Sequence, residues 1–159
     1  MKYLLTHAHL IVDGQREYLD GALLIENDVI ADVYPQANKV AILEDTQIID
    51  LNGSIVMPGF FDSHTHGNCD LIFDDADIEE LDEISINYAR KGTTSYLASL
   101  SSECIYSELP NRFKVFNDYE SKGSRFVGLH LEGPFLNKEY CAVLNPDSFV
   151  EPNIDFVID

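Results

Sequence analysis

Residues 58–67, PGFFDSHTHG, end an apolar run with His64 and His66 one residue apart. Side chains of an extended strand alternate between faces, so a run that stays extended through Asp62 aims both imidazoles at one spot. The same rule groups Gly128, His130 and Glu132 of RFVGLHLEG on one face, with Leu129 and Leu131 on the other. Two neutral imidazoles and a carboxylate suit a divalent metal such as zinc or iron, which can acidify a bound water and so serve hydrolysis. Taken alone the histidine pair says less, because such pairs occur on many strands without metal. His7 and His9 share the spacing, with no carboxylate in view, and read as ordinary strand residues. His130 reads as a hydrogen-bonded structural or substrate-facing histidine rather than a ligand. Asp62 reads as either a partner orienting an imidazole or a turn residue, and a glutamate ending a strand is by itself simply solvated.

These residues need elements to carry them. From Tyr3 to Met57 short β-rich runs alternate with turn formers such as Asp13-Gly14 and Asn27-Asp28, a β-meander. After Pro58 strands alternate with helical patterns, the texture of βα units on a parallel sheet. The chain is therefore read as α/β, with a boundary between residues 1–57 and 58–159. Strands are expected at 55–63, 93–100 and 125–131. Asp77 and Glu80 make a capping box for a helix over 78–91, whose face is Ile78, Leu81, Ile84 and Tyr88 and whose end is marked by Gly92. Ser101 or Ser102 caps a second helix carrying Ile105, Leu109, Phe113 and Phe116; Pro110 should kink or restart it and Gly123 end it. His64 and His66 leave the carboxyl end of the first of these strands and Glu132 ends the third, and carboxyl ends are where βα barrels and open α/β sheets alike build sites. A closed eight-stranded barrel needs roughly 250 residues, and the stretch from Pro58 to Asp159 is well under half of that.

Composition narrows the function classes. A net charge of -18 across 159 residues repels phosphate backbones and anionic lipid, which argues against nucleic-acid and membrane partners. An acidic enzyme or an acidic interaction protein remains. The run DDADIEELDE reads as a helix start favoured by the dipole, with a solvated face. Cys69, Cys104 and Cys141 are odd in number and lack CxxC spacing, which reads as reduced thiols in a cytoplasmic protein. The amino-terminal stretch lacks a signal-peptide cleavage site, and no run approaches the roughly 18 apolar residues of a membrane span.

The motif IVMPGFFDSHTHG resembles the first barrel strand of the amidohydrolase superfamily, and GTTSYLASL with GLHLEGPFLN is similar to the N-acetylglucosamine-6-phosphate deacetylase family. The likeness runs from about Tyr3 to Asn137 and covers well under half of a family member. It implies a small β-sandwich portion at 1–57, followed by the first three βα units of an incomplete metal-dependent (β/α)8 barrel at 58–159. It implies that His64, His66 and Glu132 bind one or two divalent ions, zinc or iron. The implied reaction removes acetate from an amino-sugar phosphate, N-acetylglucosamine 6-phosphate: a metal-activated water attacks the amide carbonyl and a late aspartate passes the proton to the leaving amine. That aspartate is not assigned to any residue of this chain, and no histidine follows His130 to match the two later metal-binding histidines of the family. The chain is thus expected to be an amino-terminal portion with little activity alone. Two other readings stand beside it: a non-catalytic remnant or interaction module, associating as a homodimer or with a complementing carboxyl-terminal chain, and another amidohydrolase acting on a cyclic amide.

Overall fold

The computed structural model describes residues 1–41 and 44–158. Asp159, the last residue of the barrel portion read from the sequence, lies outside them. The chain divides into two compact units, Met1–Pro58 and Gly59–Asp159.

In the first unit β1 (Lys2–Ile11), β2 (Glu17–Glu26) and β3 (Val29–Tyr34) form an antiparallel meander. Asn27 and Asp28 both take positive φ, the backbone of a type I′ hairpin. The meander reading fails beyond β3. The strands β4 (Thr46–Asp50) and β5 (Ile55–Val56) return to β1 and pair with it in parallel, so the sheet order is β3-β2-β1-β4 with β5 also on β1. Leu4, Ala22, Leu24 and Ala37 form one buried cluster, and Ala8, Leu10 and Leu23 another. His7 takes φ 52° where the β1–β2 register slips, and its Nδ1 meets Asp20 at 2.8 Å, while His9 Nε2 meets Glu17 at 2.5 Å. Both histidines therefore have a carboxylate partner, supplied by the hairpin neighbour strand, which local spacing cannot reveal.

In the second unit β6 (Phe60–Thr65), β9 (Thr93–Leu100) and β10 (Arg125–Leu131) make a parallel sheet of order β10-β9-β6. The apolar run from Ile55 is split: Pro58 has no N–H to give a ladder, and only Phe60 onward joins this sheet, so the expected strand at 55–63 is really Phe60–Thr65. Between β6 and β9 lies an antiparallel hairpin, β7 (Gly67–Asn68) and β8 (Leu71–Ile72), which the sequence reading lacks.

The helix α1 (Ile78–Arg90) starts on a complete capping box, with Asp77 accepting from Glu80 N–H and the Glu80 carboxylate accepting from Asp77 N–H. The helix α2 (Ser102–Asn117) runs without interruption through Pro110. Proline leaves the carbonyl four residues back unbonded; in α2 that is Tyr106, which is exposed and open to water. The helix also ends before Gly123, because Tyr119 turns inward to donate its hydroxyl to Leu81 O at 2.9 Å. The face of α1 with Leu81, Ile84 and Tyr88 and that of α2 with Ile105 and Phe116 pack with Phe73 on Tyr96, Ala98 and Leu100 of β9 in one core. Phe113, expected on that face, is half exposed. Two single 3-10 turns and a short helix α3 (Ile154–Ile158) follow β10.

Candidate metal centre

Where β6 reaches the site its ladder is irregular. Asp62 pairs with Tyr96 and Thr65 with Ala98, so two residues of β6, Ser63 and His64, face the single Leu97 of β9. Such a bulge re-aims a side chain. The Asp62 carboxylate accepts the His64 backbone N–H at 3.2 Å, and Thr65 N–H donates to Ser99 Oγ at 3.0 Å. Asp62 thus holds the backbone of the bulge; it contacts neither imidazole ring through a hydrogen bond among the described residues. On the opposite side Thr65 meets the Tyr88 hydroxyl of α1. The hairpin holds the strand end, with Phe73 N–H donating to His66 O at 2.9 Å.

On β10 a second slip at Val127 precedes a regular stretch that pairs His130 with Ser99 and Leu131 with Leu100. The Glu132 amide continues that ladder, donating to Leu100 O at 3.1 Å. Its carboxylate then reaches across β9 toward β6. His66 Nε2–H donates to Glu132 Oε2 at 2.7 Å, and His64 Nε2 lies 3.2 Å from the same oxygen. The ligand atoms of His64, His66 and Glu132 all lie within 4.8 Å of one another, the one such group of three among the described residues. His130 does not join them; its Nδ1 pairs with Ser99 Oγ at 2.9 Å and its ring sits 4.6 Å from that of His64.

Burial pushes the Glu132 carboxyl pKa up, but the His66 and His64 hydrogen bonds, helped by the charge of both rings when protonated, bring it below the ordinary value. Glu132 therefore stays an acceptor. The three side chains line a cavity of about 620 Å³ together with Ser101, the N-cap of α2, and the loop from Leu136 to Leu144. That loop is tied back to α2, by Asn145 to the Glu103 carboxylate at 2.6 Å and by Ser148 to the Ser102 hydroxyl at 2.6 Å. Nitrogen and oxygen donors converging from two strands on one point, at the open end of a parallel sheet, fit a divalent cation. Ser99 escapes sequence reasoning because a lone serine in a strand carries no ligand pattern, and Ser101 is read from the sequence only as a helix cap.

No protein-family model matches the chain. It is 28% identical over 149 residues to the N-acetylglucosamine-6-phosphate deacetylase of Bacillus subtilis, covering 84% of this chain and 37% of that protein. The crystal structure of the Pasteurella multocida deacetylase superimposes with a TM-score of 0.85 at 25% identity, over 99% of this chain and 41% of that one. The Mycobacterium smegmatis deacetylase in complex with N-acetyl-D-glucosamine-6-phosphate gives 0.73 at 26% identity, over 98% and 39%. The sheet, helices and hairpin therefore have the fold of part of these deacetylases. These three relatives, one found by sequence and two by fold, are N-acetylglucosamine-6-phosphate deacetylases, and this chain spans about two-fifths of their length; shorter stretches also match dihydroorotases and an imidazolonepropionase.

Proposed function

We propose that this chain provides the metal-binding edge of an N-acetylglucosamine-6-phosphate deacetylase, with His64, His66 and Glu132 holding a zinc or iron ion. The observation that supports it most is the meeting of these three side chains within 4.8 Å at the carboxyl ends of β6 and β10, in a chain whose likeness to deacetylases extends over nearly all of its length. When bound, such an ion acidifies water and polarises an amide carbonyl. The chain's own residues supply the setting for that chemistry. His64 and His66 present nitrogen donors, Glu132 presents a carboxylate kept ionised, and the Leu136–Leu144 loop walls the cavity where an amino-sugar phosphate would lie. Three thiols free of disulfides among the described residues agree with a cytoplasmic, reducing setting.

Calorimetric zinc titration tests the metal half. Binding is expected for the wild type, with an affinity at least ~10-fold lower in His64→Ala, His66→Ala and Glu132→Ala, since even outer partners of a ligand are worth that much; equal affinity in all four proteins would refute it. Complementation tests the reaction. The chain is mixed with zinc and the part of the Bacillus subtilis deacetylase outside the matched segment, and acetate release from N-acetylglucosamine 6-phosphate is followed. Release should need both chains and be lost with His64→Ala. Zinc binding without any release from the mixture would leave a metal-binding module and overturn the deacetylase assignment.

A further inference from the structure

Ser99, in the middle strand, has no part in the metal set, yet its hydroxyl touches both outer strands. It is fully buried, and its Oγ lies 3.0 Å from Thr65 N of β6 and 2.9 Å from His130 Nδ1 of β10. The Thr65 amide is a donor, and it turns to the hydroxyl just where the β6 bulge interrupts the ladder. A serine hydroxyl carries one hydrogen and two acceptor lone pairs. Were His130 also to donate, that hydrogen would be left without an acceptor in a site closed to water, which folded proteins avoid. The consistent arrangement has Thr65 N–H donating to Oγ and Oγ–H donating to Nδ1.

We propose that Ser99 is a positioning residue that holds neutral His130 as its Nε2–H tautomer and fixes its ring against His64. The His130 and His64 ring centroids are 4.6 Å apart at 56°, and His64 in turn stands edge-on to His66 at 5.5 Å. One buried hydroxyl thereby sets the orientation of two rings and ties the bulge that carries His64 to the strand that carries Glu132. The Nε2–H of His130 is left as a donor beside the site, and its Nδ1 is withdrawn from metal binding. That this bracing serves a ligand rests on the proposed metal set; the tautomer does not.

Long-range ¹⁵N–¹H correlation spectra of the metal-free 159-residue chain at pH 8 read the tautomer directly. His130 should show a protonated Nε2 and an unprotonated Nδ1. In Ser99→Ala the ring should lose that preference and zinc affinity should fall about 10-fold with all three ligands intact, while Ser99→Thr, which keeps the hydroxyl, should restore both. In a His130→Ala background, Ser99→Ala should lower zinc affinity by less than it does in the wild type, because only the Thr65 contact is left to lose. A protonated Nδ1 in the wild type, measured without any substitution, overturns the assignment. The expected tautomer with zinc affinity unchanged in a folded Ser99→Ala overturns the bracing. A wild type that binds no zinc removes the proposed metal set and the bracing with it, and the spectra still decide the tautomer.

Discussion

Glu132 carries opposed influences on one carboxylate: burial favours its neutral form, and the His66 and His64 hydrogen bonds favour its ionised form and win. Because its pKa in the folded chain lies below the ordinary 4.5, it contributes stability that is fully present above the unfolded value and is lost as pH falls through the folded one. Metal-free wild type should therefore have a higher urea midpoint than Glu132→Gln at neutral pH, and the two curves should converge as pH drops below 4.5. A gap that stays constant across this range would mean that the hydrogen bonds with both imidazoles do not form. At this scale the sequence lets His64, His66 and Glu132 be brought together, as the structure does, because each lies at the carboxyl end of a readable strand. It hides Ser99, and it hides what Asp62 does. Both depend on a bulge in β6 that is defined only against β9, and an interstrand register has no local signature.

The hairpin between β6 and α1 fixes the backbone on which His66 sits, and Gly67 is the residue that admits it. Gly67 takes φ +133°, and a Cβ there would stand 2.1 Å from Leu71 O. Both the backbone region and the clash exclude a side chain. Gly67→Ala should destabilise the chain by well over ~1 kcal/mol in urea unfolding, whereas Gly14→Ala, with nothing within 4 Å of its Cβ, should lie within about 0.5 kcal/mol of wild type. Equal midpoints for the two variants would show that the hairpin is not formed. The strands β9 and β10 match their sequence reading residue for residue, and α1 does so within one residue, because alternation and a capping box are local signals. The hairpin does not read from sequence: Cys69 and Asp70 take the positive φ values of a tight turn without the Asn-Gly or Asp-Gly pair that usually announces one. The end of α2 is missed for a tertiary reason, since it is Tyr119 reaching Leu81 O that draws the chain out of the helix.

For the molecule as a whole, two quantities oppose each other. Among the described residues the outer edges of β6 and β10 pair with no further strand, and they carry exposed apolar side chains: Phe60 at 59%, Phe61 at 55% and Val127 at 51%. Unpaired edges of this kind template strand addition, and apolar side chains along them favour it further. The net charge of -18 resists any approach of two copies. Repulsion between charged surfaces is screened over about 30 Å at 0.01 M salt and about 3 Å at 1 M, while the apolar contribution is not weakened by salt. The chain should therefore sediment as a smaller species at low ionic strength and as a larger one as sodium chloride rises toward about 0.5 M at fixed protein concentration. Val127→Glu, which puts a charge on one edge and adds to the repulsion, should move that transition to higher salt. Sedimentation velocity decides the matter: a single species of monomer mass at every salt and protein concentration, unchanged by Val127→Glu, would mean that the edges of this sheet do not drive association.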